Sequence, residues 1–125
     1  MEGILQKVKK EYNNRIDIAK AYYHILFKLN AIPISNMELE LVCHCAVYGT
    51  ISYSTSRDEF MKKFGVPKAS IYNMISKLQR RKIFMKIDGL TKVNPAIMLD
   101  FSKPFIKMEL IMINKEGHET KGSAE

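Results

Sequence analysis

Residues 57–95 read RDEFMKKFGVPKASIYNMISKLQRRKIFMKIDGLTKVNP, and the order of signals in this stretch decides the fold. Ser56-Arg57-Asp58-Glu59 has the spacing of a capping box, so it predicts a short helix opening there and running through Phe64. Phe60, Met61 and Phe64 would turn inward. Gly65-Val66-Pro67 breaks the helix, and Pro67 suits the start of the next one, where a missing N–H costs little. The periodicity predicts that second helix over about residues 68–81. Ile71, Ile75 and Leu78 recur on one face, with Met74 at its border. Lys68, Ser70, Tyr72, Asn73, Ser76, Lys77 and Arg80 are left outward. Residues 83–87 and 90–93 then alternate around Asp88-Gly89, a strong two-residue hairpin signal.

N-terminal to this stretch, Ser35-Asn36-Met37-Glu38 is another capping box. The helix it opens would bury Leu41, Val42, Cys45, Ala46 and Tyr48 and end at Gly49. Thr50-Ile51-Ser52-Tyr53 is short and β-prone, which predicts a small edge strand. A longer helix is expected from about residue 15 to 29, with Ile18, Tyr22, Ile25, Leu26 and Leu29 as its stripe. Tyr23 and Phe27 fall off that stripe, so this helix is either buried on two sides or meets another chain. A homodimer through residues 15–29 is one expectation that follows. Residues 1–14 read as an N-terminal helical extension, with Ile4, Leu5, Val8 and Tyr12 on one face. On the C-terminal side, residues 104–113, PFIKMELIMI, suit a further strand or a helix packed on the core. Residues 114–125 are small and polar and predict a disordered tail. The chain thus divides into 1–14, a domain over 15–113, and 114–125.

Charge is unevenly distributed. The whole chain carries +7, yet residues 61–92 hold nine Lys or Arg against one acid, Asp88. The excess coincides with the second helix and the hairpin, which is an electrostatic footprint for polyphosphate. Chemistry of other kinds finds little support. His24, His44 and His118 are scattered, and no nucleophile elbow, paired carboxylates or Gly-rich phosphate loop is present. The two cysteines, Cys43 and Cys45, are two apart, which on a helix directs their thiols to different sides. Small hydrophobes in a reduced core are the expectation for both. No enzyme activity, metal or cofactor is therefore expected. With no long apolar run and no signal-peptide pattern, the expectations are no membrane partner and a cytoplasmic, intracellular location.

The segment GVPKASIYNMISKLQRRKIF resembles the recognition-helix region of winged helix-turn-helix regulators, where a Gly turn leads to a helix ending in Leu, basic residues and a wing strand. KIDGLTKVNPAIML also resembles the wing of small plasmid and phage replication initiators, with Asn94-Pro95 as the Asn-Pro pair. The resemblance implies a mainly α fold with a small antiparallel β-hairpin, a winged helix-turn-helix, and double-stranded DNA as partner. A transcription regulator or a replication accessory would both fit. On that reading Asn73 meets an adenine edge, while Ser70 and Tyr72 bond bases or phosphates. Lys62, Lys63, Lys68, Lys77, Arg80, Arg81 and Lys92 meet phosphates, and Lys86, with Lys92, reaches from the hairpin. The same scaffold also serves without DNA, as a protein-interaction module or a structural subunit of a larger assembly such as a phage particle. That rival would make the chain virion-associated.

Overall fold

The computed structural model describes residues 3–116. Four helices precede one hairpin: α1 (Arg15–Leu29), α2 (Asn36–Tyr48), α3 (Ser54–Phe64), α4 (Lys68–Arg80), β1 (Phe84–Ile87) and β2 (Leu90–Val93). A single 3-10 turn, Pro95–Ile97, follows. The protein is mainly helical with a two-stranded antiparallel sheet. Among the described residues no helix is long and apolar enough to cross a membrane.

Local chemistry sets most of the boundaries. Asn14 caps α1 by accepting from the Asp17 N–H at 2.9 Å. The Ser35–Glu38 capping box opens α2 as its spacing predicts, with both reciprocal bonds formed. Gly65 ends α3 in the left-handed region at φ 64°, which only glycine adopts without a Cβ penalty. The helix ends at residues 29 and 80 solve the same problem without glycine. Ala31 (φ 54°) and Lys82 (φ 64°) take the left-handed position. Ile32 then donates back to the Phe27 carbonyl, and Ile83 to the Leu78 carbonyl, each at 2.9 Å, completing Schellman motifs. The hairpin turn has positive φ at both Asp88 (52°) and Gly89 (78°), as a type I′ turn requires. Its register pairs Phe84 with Val93 and Ile87 with Leu90.

The core gathers around α2, whose residues Leu41 to Ala46 are all buried. α1 packs on it through Ala19, Tyr23 and Phe27, which stand one turn apart. Tyr23 and Phe27 stack at 5.7 Å, and Phe101 closes over Tyr23 at 5.6 Å. Phe60, Ile71, Leu78, Ile83 and Phe84 seal the other side.

Several expectations are corrected here. The α1 stripe is rotated: Ile25 and Leu29 are exposed, while Tyr23 and Phe27 are core. Small Ala19 allows close approach to α2, and the aromatics follow it inward. Tyr23 and Phe27 thus belong to the intramolecular core face. Tyr48 is exposed and lies against the His44 ring at 4.6 Å rather than in the core. α3 begins at Ser54, two residues before the expected cap, and has no side-chain cap. Ser56 instead lies inside the helix, and its hydroxyl bonds the Thr50 carbonyl and the His44 ring.

The expected edge strand at residues 50–53 is reduced to a single rung. Ile51 donates to the Thr91 carbonyl at 3.1 Å, and the Thr91 N–H donates to the Ser52 hydroxyl rather than to a carbonyl. Residues 3–12 have no regular structure, with Ile4, Leu5 and Val8 exposed, so the helical extension is not formed. So short a segment, with an apolar face that meets nothing, does not repay the cost of nucleating a helix. Residues 104–113 are neither strand nor helix, and of these only Ile106 packs on the core. The packed domain therefore ends near Ile106. Residues 114–116 are exposed, and the rest of the expected tail, with His118, lies outside the described residues.

Two outcomes test this packing. Phe27→Ala should cost about 3–5 kcal/mol in urea unfolding, the range for an aromatic removed from a core; a variant as stable as the parent would place Phe27 at a partner contact instead. His44 is buried, and burial lowers its pKa below 6.5 despite a bond to the Ser56 carbonyl. The folded state therefore favours the neutral ring. The stability this provides is complete above pH 6.5 and falls as pH drops from there toward the folded value. Thermal melts between pH 7.5 and about 5 should show that slope, and His44→Gln should flatten it.

Candidate nucleic-acid interface

α3, the turn and α4 form one unit. Gly65 donates to the Met61 carbonyl at 2.8 Å, and Pro67 then serves as the N-cap of α4. Proline has no side-chain acceptor, and the first turn of α4 contains no acid. Ser70 and Ile71 bond the Pro67 carbonyl, which leaves the Lys68 and Ala69 amides open at the positive end of the helix dipole.

α4 is divided between two environments. Ile71 and Leu78 are fully buried, and Met74 and Ile75 pack against the core. Ala69, Tyr72, Asn73, Ser76 and Arg80 are exposed, and their spacings of three and four place them on one strip. Ser70 and Gln79 are half-buried at the margins. Ser76 and Ala69 are thus more central to the strip than Ser70. The same helical spacing contains that information, and the only added ingredient is which neighbour covers each flank.

Tyr72 is held between two cations. The Arg57 carbon lies 5.4 Å from its ring centre and the Lys68 ammonium 5.8 Å. Arg57 is itself fixed by bonds to the Ile51 and Ser52 carbonyls. Its role was not legible from spacing, because its acceptors belong to the α2–α3 connection. Lys62 and Lys63, in the last turn of α3, are exposed. Lys63 rests over the Phe64 ring at 5.2 Å. Cations here also complement the C-terminal end of the helix dipole.

Two of the expected phosphate-binding residues have structural work. Lys77 reaches the buried Glu38 carboxylate at 3.0 Å, with side-chain exposures of 50% and 6%. Glu38 also accepts from the Ser35 N–H at 2.9 Å as the closing member of the capping box. Burial alone would raise the Glu38 carboxyl. The Ser35 N–H and the Lys77 ammonium more than offset it, so the group sits below its usual range. Arg81 is half-buried and donates to the Pro33 carbonyl. Both side chains tie α4 to the α1–α2 connection and to the start of α2.

On the hairpin, Lys86 pairs with Thr91 and Lys92 with Met85. Cross-strand partners share a face and neighbours alternate, so Lys86 and Lys92 stand on opposite faces of the ribbon. They do not form one patch. The hairpin is anchored at Thr91. Its carbonyl accepts from Thr50 Oγ1 at 2.7 Å as well as from Ile51, and its hydroxyl accepts from Gln79 at 3.4 Å. Asn94 closes the base by donating to the Lys82 carbonyl at 2.8 Å and capping the 3-10 turn.

No three His, Cys, Asp or Glu side chains surround a common point among the described residues. Cys43 and Cys45 are free and buried, and burial pushes both thiols up to about 12, far from a reactive thiolate. Comparison with known proteins found no matching family model, no similar curated protein and no similar solved structure.

The Lys77 assignment is testable without any ligand. Lys77→Met keeps the stem but leaves Glu38 with one partner fewer. It should lower stability by about 1–3 kcal/mol, toward the low end because the ammonium is half exposed. Replacing the freely exposed Arg80 by Met should change stability by less than about 0.5 kcal/mol. Equal small losses in both would return Lys77 to the solvent-facing set.

Proposed function

We propose that this chain is a double-stranded DNA-binding protein of the winged helix-turn-helix type, acting as a transcription regulator or replication accessory. α4 would lie in the major groove as recognition helix, with the hairpin as wing. One observation carries the reading. α4 has a sealed apolar back, while its outer strip of Tyr72, Asn73, Ser76 and Arg80 is polar and open to solvent.

The roles follow from chemistry. Asn73 has the paired donor and acceptor that match an adenine edge. Ser70, Tyr72 and Ser76 can bond bases or phosphate oxygens. Lys62, Lys63, Lys68, Arg80 and Lys92 supply the charge for phosphates, and Lys86 serves a different face of the wing. Lys77 and Arg81 set the pose of α4 and are removed from the phosphate-binding set. The open Lys68 and Ala69 amides suit a phosphate at the helix start. The rival reading is a winged-helix interaction subunit of a larger assembly. The exposed apolar side chains of residues 105–113 favour it, although they lie outside the unit formed by α3 and α4.

Titration of random-sequence duplexes across a salt series separates the two readings. Five phosphate contacts predict a slope of log K against log salt of roughly −4 to −5, compared with roughly −6 if Lys77 and Arg81 also engaged. A slope near zero, or no binding at low salt, contradicts the DNA reading. On a preferred site, Asn73→Ala should cost about 1–3 kcal/mol and relax the preference at one base pair. Equal loss on every sequence would assign Asn73 to backbone positioning.

A further inference from the structure

Residues 105–113 leave the domain without regular secondary structure. Among the described residues, none of their backbone N–H or C=O groups has a hydrogen-bond partner. Large apolar side chains are in solvent along the segment, with Phe105 74%, Ile111 69% and Met112 84% exposed. Open backbone groups flanked by apolar side chains invite pairing with another chain. We infer that residues 105–111 pair antiparallel with the same residues of a second copy of this chain, about a two-fold axis at Met108.

Parity and charge select that occupant and that register. Paired as a strand, Ile106, Met108, Leu110 and Met112 would share one wholly apolar face, and Ile106 already packs on the core. Only registers that oppose even positions to even positions keep this face apolar in a two-stranded ribbon. A two-fold at Met108 places Lys107 opposite the partner's Glu109, and Glu109 opposite the partner's Lys107. Ile106 then faces the partner's Leu110, and Phe105 the partner's Ile111. Shifting the axis one residue either way stacks Glu109 on the partner's Glu109, or Lys107 on the partner's Lys107. Opposite charges directly across strands stabilise, and like charges do the reverse. The segment is therefore complementary to itself in one register, as an isologous two-fold contact requires.

Phe105, Met108, Leu110 and Ile111 are all exposed, so a partner strand can cover them. An isolated two-stranded ribbon is marginal, so its apolar face must also rest on the two domains, beginning where Ile106 is seated. The contact is independent of α4 and of the DNA reading. It is also a different surface from the expected homodimer contact through residues 15–29.

Sedimentation of the full chain tests this directly. The wild type should run at twice the 14.4 kDa chain mass at concentrations up to about 100 µM. Lys107→Glu and Glu109→Lys each create two like-charge oppositions and should weaken the dimer about tenfold or more. The double variant K107E/E109K restores the pairing and should return to within about threefold of wild type. Circular dichroism would show that all three retain the helical domain. A monomer throughout the range overturns the inference. So does a dimer that either single variant leaves intact, or one that the double variant fails to restore.

Discussion

The Glu38 carboxylate is the point on which the arrangement of the domain depends. It is buried, so it needs partners, and it takes them from two different elements. Ser35 holds one oxygen and thereby starts α2, the central helix of the core. Lys77 holds the other and thereby sets the rotation of α4. Arg81 adds a second tie, to the Pro33 carbonyl, one turn further on. With those two cations tied to Glu38 and to the Pro33 carbonyl, the exposed strip of α4 comprises Ala69, Tyr72, Asn73, Ser76 and Arg80. A single buried charge thus links a local capping motif to the orientation of the surface proposed to read DNA.

Thr91 plays the corresponding part for the hairpin. A third strand would normally orient such a ribbon, but residues 50–53 provide only one backbone rung. The side chains of Thr50 and Ser52 supply the other bonds, and Gln79 connects the same residue to α4. The hairpin is held by hydroxyl chemistry in place of a ladder. Lys86 and Lys92 consequently project to opposite sides of a ribbon whose angle to α4 is constrained at its base and free at its Asp88-Gly89 tip.

Features that rest on short-range chemistry were legible in the sequence. The Ser35–Glu38 box, the Gly65-Pro67 break and the Asp88-Gly89 turn each need only residues within four positions of one another. Features decided by distant partners were not. Nothing local to Lys77 or Arg81 marks them as internal ties, because Glu38 and Pro33 lie far away in sequence. The α1 stripe was misplaced because aromatic residues occur on two sides and the deciding residue is small Ala19. Ser56 carries a cap signature, yet its hydroxyl is drawn to Thr50 and His44, and the helix starts earlier. Along α4, the ion pair with Glu38 sets Lys77 apart from Asn73, Ser76 and Arg80, although all four are outward polar positions.

The central claim is that the outer strip of α4 is the surface that meets duplex DNA. Backbone amide NMR of the full chain, titrated with duplex at low salt, tests it most directly. The account predicts that Lys68, Ala69, Asn73, Ser76 and Arg80 shift together, with Lys62 and Lys63 beside them, while Ala19, Tyr23 and Phe27 of α1 stay fixed. Shifts confined to other elements, or no shifts on α4 at saturating duplex, would contradict it.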